Sequence, residues 1–180
     1  MRRKLSWIVW LALATVSGAA TARPQSHQPP AACESVAGFH RLDFWLGSWD
    51  VYVGEQKVGD NRIEKMLAGC AILEHWTDAE GNEGKSFFFY VPATDTWKQV
   101  WVTERATAPG GVKEKVLVET FDDGGVRFQG EIPLEGGGRY FDRTTLTPLA
   151  EGRVGQHIEI SRDGKSWEST FDAVYVPKTK

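Results

Sequence analysis

Four histidines and two cysteines are the whole supply of imidazole and thiol ligands in this chain of 180 residues. His27, His40, His75 and His157 are scattered, forming neither H-x-H nor H-E-x-x-H, so the spacing of a dedicated zinc site is missing. The glycine runs Gly110-Gly111, Gly124-Gly125 and Gly136-Gly137-Gly138 lack the strand-to-helix context of a phosphate cradle and read as turns. No G-x-S-x-G surrounds Ser48, which excludes a nucleophile elbow. An internal repeat is also lacking, and with it the solenoid and propeller classes.

Long apolar runs are scarce too. The longest, LSWIVWLALATV, follows the basic head MRRK and precedes the small-residue site Ala20-Thr21-Ala22. This pattern predicts a secretory signal over residues 1–22, cleaved after Ala22, and the run is short for a membrane-spanning helix. An uncleaved anchor is the alternative. Arg2-Arg3 hints at twin-arginine export, but Leu5 is followed by Ser6 where a second apolar residue is expected. Cys33 lies too far from the apolar run to be a lipid-anchoring cysteine. The expectation is therefore a periplasmic or secreted protein without stable membrane insertion after cleavage.

Cleavage removes Arg2, Arg3 and Lys4 but none of the 24 acidic residues, doubling the formal net charge of −3. No basic cluster survives, so neither nucleic acid nor an anionic membrane is an expected partner. Residues 23–33, RPQSHQPPAAC, are Pro- and Gln-rich and predict a flexible leader. Residues 34–180 are long enough for one domain with a single core.

Cys33 and Cys70 both lie in the exported part, where an even pair is most simply a disulfide. Closing that loop is worth roughly 4 kcal/mol on the chain-entropy account. Two buried free thiols are the alternative.

From Ser48 onward ten short β-like runs alternate with Gly/Asp/Asn turn segments such as DAEGNEG, PATDT, DDGG and RDGK. Regularly spaced strands with no helical pattern between them predict an all-β antiparallel up-and-down barrel of about ten strands. Closure is favoured over a sandwich because it removes exposed edges. Before the first strand, HRLDFWLG predicts a short helical turn ended by a left-handed Gly47. It would close one end of the barrel with Leu42, Trp45 and Leu46, with Trp49 pointing inward.

The segments LDFWLGSWDV, GCAILEHW, WKQVWV and SRDGKSWESTFD together resemble a family of short exported bacterial proteins carrying a domain of unknown function. That family has an FDFW-x-G-x-W-D-V box and is similar to lipocalin-like (calycin) barrels, whose first strand opens with Gly-x-Trp. The resemblance spans roughly residues 33–175 and implies a barrel with an internal cavity, but no assigned activity. It also implies a basic residue stacked over Trp49, for which the last strand offers nothing before Lys178 and the preceding strand only Arg153 or Arg162. Haem-containing barrels that handle nitric oxide are a more distant likeness, lacking their further glycines here. Haem is thus a minority alternative to having no cofactor, with His75 or His157 as its ligand. SRDGKSW resembles a shortened Asp-box hairpin, read as a type I′ turn over Asp163-Gly164 with Trp167 packed above it.

Strand parity supplies the candidate binding site. Glu74 and Trp76 share one face, as do Gln99 and Trp101. A register placing Phe87 between Trp76 and Trp101, and Phe89 between Glu74 and Gln99, would give an aromatic lattice holding one carboxylate and one amide. With Trp49 these residues suit a small apolar or amphipathic ligand. The alternative is an ordinary core with Glu74 and Gln99 facing water. A buried Glu74 with a raised pKa would also permit a small isomerase or hydrolase, although no second carboxylate is expected on that face. A third possibility is a structural or interaction module of the cell envelope with a filled barrel.

Overall fold

The computed structural model describes residues 32–179; the expected signal peptide and the leader up to residue 31 lie outside the described residues. Ten strands follow one another: β1 (Gly47–Val53), β2 (Gln56–Met66), β3 (Ala71–Asp78), β4 (Glu83–Val91), β5 (Thr96–Thr103), β6 (Val112–Thr120), β7 (Val126–Pro133), β8 (Arg139–Pro148), β9 (Val154–Ser161) and β10 (Glu168–Pro177). Each pairs antiparallel with its neighbours in sequence, and β1 pairs with β10 to close the barrel. This is the up-and-down barrel expected from the ten runs, with the lipocalin-like architecture that the resemblance implied, and closure leaves no strand edge unpaired.

Three 3₁₀ turns, Cys33–Ser35, Ala37–His40 and Asp43–Trp45, lead into β1 and cover one end. Leu42 and Trp45 are fully buried, and Leu46 packs against the same cluster. Trp45 meets Phe88 edge to face, with centroids 5.4 Å apart, and Tyr175 at 6.2 Å. Such offset contacts add to the large area these rings bury. The expected plug is therefore present, but its stop is different. The turn is capped by an extended Leu46, and Gly47 lies at φ +145° as the first residue of β1. A side chain there would be strained and would touch the Trp49 ring, so glycine permits the sharp entry into the strand.

Trp49 is buried, and its Nε1 donates to the Trp45 carbonyl at 3.1 Å. Over it lies Tyr175 of β10, at 6.1 Å and 70°. Among the described residues no arginine or lysine stacks on Trp49 as the family likeness implied; Lys178 pairs with Asp60 and with Asp50. The plug is fixed further by the Cys33–Cys70 disulfide, which joins the first 3₁₀ turn to the β2–β3 connection across 37 residues. In addition, Trp97 Nε1 donates to the Gly38 carbonyl at 2.9 Å.

The SRDGKSW hairpin is not a type I′ turn, because only Gly164 has positive φ. Asp163 organises it instead, accepting from the Lys165 and Ser166 amides at 2.8 Å, which holds its carboxyl well below the usual range. Arg143 stacks on Trp167, 4.0 Å from its centroid.

The candidate cavity

Beyond the plug, the barrel interior changes character. Next to the packed cluster of Leu42, Trp45, Trp49, Phe88 and Trp97 lies a cavity of about 290 Å³. Its walls include Trp76, Trp101, Ile158, Phe171 and Tyr175, and its polar groups are Glu74, Gln99, Lys113, Lys115, Thr144, Gln156 and Thr170.

The wall follows strand parity. Glu74 and Trp76 alternate inward along β3, as do Gln99 and Trp101 along β5, and all four line the cavity. The expected register between them is not the one observed. Glu74 pairs through Ser86 to Trp101, and Trp76 through Gly84 to Thr103. The inward residues of β4 are therefore Gly84, Ser86 and Phe88, all buried, whereas Phe87 and Phe89 are partly exposed on the opposite parity. Phe87 and Phe89 stack on each other at 5.8 Å instead of lining the cavity. Gly84 has a specific role: a Cβ there would fall 2.3 Å from the Trp101 ring, so the indole occupies space that any larger residue would take. Trp49 also lies outside the cavity, in the packed end.

A hydrogen-bonded chain crosses the cavity floor. Asn61 Nδ2 donates to Glu74 Oε1 at 2.8 Å and lies 3.2 Å from the Tyr175 hydroxyl, which donates to Gln156 Oε1 at 2.9 Å. Gln99 Nε2 donates to Ser86 Oγ at 3.0 Å, and the buried Gln99 Oε1 has no partner among the described residues. Burial raises the pKa of Glu74 above its ordinary value, opposed by hydrogen bonds from Ser86 and Asn61 and by the charge of Lys115. Tyr175 is pushed well above its own ordinary value, by burial first and the neighbouring Glu74 charge second.

The second ionisable group was not anticipated. Lys113 and Lys115 point inward from β6 and converge on Asp142 of β8, which is completely buried. Lys113 Nζ lies 2.5 Å from Asp142 Oδ2; Lys115 pairs with Asp142 Oδ1 and donates to Thr144 Oγ1 at 2.6 Å. Burial lowers Lys115 to about 8, against the attraction of Asp142 and with the repulsion of Lys113. Asp142 is the second interior carboxylate that the parity of β3 and β5 did not predict. The cavity thus holds a carboxyl biased toward its neutral form and an ammonium biased toward its free amine, on different strands.

The remaining histidines face other partners. His75 lies 2.8 Å from Glu64, His157 lies 2.9 Å from Ser169, and His40 lies 2.7 Å from Asp43. Neither His75 nor His157 lines the cavity, so its donor set does not fit a haem held within the barrel. Among the described residues no group of three or more His, Cys, Asp or Glu is placed to hold a metal ion, and no helix is long and apolar enough to cross a membrane.

Fold and site together define a lipocalin-like closed barrel, packed at one end and hollow at the other, with ionisable groups in the hollow. The chain matches no family model, and no curated protein is significantly similar to it in sequence.

Proposed function

We propose that the protein is exported and binds a small amphipathic molecule in the hollow half of its barrel. The carrying observation is the cavity, whose aromatic walls can bury a ring while a few polar groups fix its orientation. Export rests on the basic head, the apolar run and Ala20-Thr21-Ala22. The likeness of LDFWLGSWDV and its companion segments to short exported bacterial proteins of unknown function supports the same reading. The test is a native mass spectrum of protein purified from an exporting host, set against its denatured mass. Extra mass that leaves on denaturation, on a chain beginning at Arg23, is the expected result. An intact N-terminus would sink the proposal of a cleaved and released protein, and absence of binding to any small ring-bearing probe would sink the cavity proposal.

A second reading, acid–base catalysis by a small isomerase or hydrolase, is favoured by one observation. Glu74 and Lys115 are shifted in the directions that bring a carboxyl and an amine toward working pH. On that reading Glu74→Gln abolishes turnover of a bound substrate and leaves its affinity in place. Equal loss of both would indicate binding alone.

A further inference from the structure

The hydrogen-bond inventory of the cavity is uneven. Each lysine ammonium carries three donors. Lys115 directs its donors to Asp142 and Thr144, and Lys113 directs one to Asp142, so three N–H groups have no acceptor among the described residues. Charge is uneven in the same place. Two ammonium groups meet one buried carboxylate, Asp142, while Glu74 across the cavity accepts from the neutral donors Asn61 and Ser86. Burial shifts Glu74 toward its neutral form, in which it offers the two lysines little compensation beyond Asp142, and a buried unpaired charge is costly.

Resting on the binding reading above, we infer that the cavity selects compact, ring-bearing monocarboxylates, the carboxylate meeting Lys113 and Lys115 and the ring lying among Trp76, Trp101 and Phe171. A monoanion supplies the missing acceptors and cancels the surplus charge. A dianion would replace a surplus positive charge by a surplus negative one, at the same kind of cost. The volume of about 290 Å³ is at the small end for ligand cavities, which favours a compact ring system over a long chain. Planar rings also meet the indole and phenyl faces that form the wall.

The selection depends on pH through Lys115 on β6 and Glu74 on β3; the charged groups facing them are Lys113 of β6 and Asp142 of β8, and Tyr175 of β10 faces Glu74. Raising the pH through about 8 discharges Lys115, and ionising Glu74 removes the surplus. Both changes act against the anion.

Three probes sharing one skeleton test this: 2-naphthoate, 2-naphthalenemethanol and 2-naphthylmethylammonium, titrated calorimetrically into the full exported chain. Near pH 6 the carboxylate is expected to bind at least about tenfold more tightly than the alcohol, and the ammonium weakest. Lys115→Met is expected to bring carboxylate and alcohol within about threefold of each other while the alcohol still binds, which shows that the barrel has folded. Lys113→Gln, at the more exposed lysine, gives an independent and smaller loss of preference. Alcohol binding equal to carboxylate binding in the parent protein overturns the inference and leaves the cavity reading standing. Binding of none of the three overturns both. A preference that survives Lys115→Met and Lys113→Gln assigns the selection elsewhere and overturns the role of this pair.

Discussion

The two ends of this barrel are built from the same strands but obey different rules. At the plug end, Leu42, Trp45, Phe88 and Trp97 are essentially inaccessible, and the polar atoms among them are few. At the other end the same strands carry Glu74, Gln99, Lys115, Asp142 and Gln156 inward. Dense apolar packing is where stability is concentrated, because each buried ring removes a large area from water. Buried charges add little net stability when paired and subtract it when unpaired. The comparison teaches that the hollow end is carried by the packed one.

The most forceful way to break that comparison is to remove one tryptophan from each end. Trp45→Ala is expected to cost about 3–5 kcal/mol, the range for truncating a buried aromatic. Trp101→Ala, at a half-buried residue lining an existing cavity, is expected to cost about 1 kcal/mol or less. Urea unfolding of both variants decides the matter, and equal losses would mean that the ends are not energetically distinct. Next comes the tie that holds the plug. Replacing Cys33 and Cys70 by serine is expected to cost about 3 kcal/mol, the middle of the range for a native disulfide. Probe affinity at the far end should stay within about twofold wherever the chain remains folded; loss of affinity in the folded variant would join the two ends.

The packed end was legible in the sequence because its signals are local. LDFWLG sets bulky apolar residues directly before the first strand, and ten runs separated by turn chemistry fix the strand count. The hollow end was only half legible. Glu74, Trp76, Gln99 and Trp101 follow from parity, but the β4 segment SFFFYV is apolar on both parities, so nothing in it chooses between Phe87 and Phe88. On β6 the usual pattern points the wrong way. Val112, Val116 and Val118 share one parity and are exposed, while Lys113 and Lys115 face inward. A rule that sends valine inward and lysine outward inverts this strand. The cross-strand carboxylate Asp142, far away in sequence, and the Thr144 hydroxyl explain why the lysines are tolerated inside. That inversion is also what leaves apolar side chains on the outer wall.

Asp142→Asn isolates this compensation. It removes the carboxylate that both lysines share and is expected to cost about 2 kcal/mol. That is less than for a fully dry pair, because Lys113 is one-fifth exposed and retains some hydration. Adding Lys115→Met to the variant should recover most of the loss, by deleting the buried charge left behind. Thermal unfolding of the single and double variants measures it; a double variant no more stable than the single would mean that Lys115 is not the charge being compensated.

The smallest expected effect is a pH signature that only the hollow end can produce. Glu74 has a folded pKa above its unfolded value. Below the ordinary carboxyl range both states hold its proton, and its contribution to stability is complete. As pH rises through the raised value the folded state must carry a buried carboxylate, and stability falls. Lys115 runs the opposite way. Its folded value of about 8 lies below its ordinary 10.5, so between these values the unfolded chain binds the proton more strongly. Stability therefore rises as pH increases across that window and is lost as pH falls back through it. Melting temperature against pH should show a decline above the carboxyl range and a partial recovery from about 8 to 10.5. Glu74→Gln should remove the decline and Lys115→Met the recovery, while Trp45→Phe, at the packed end, should lower the whole curve without changing its shape. Slopes that persist in both hollow-end variants would place the titrating groups outside the cavity, and the two ends would then differ in packing alone.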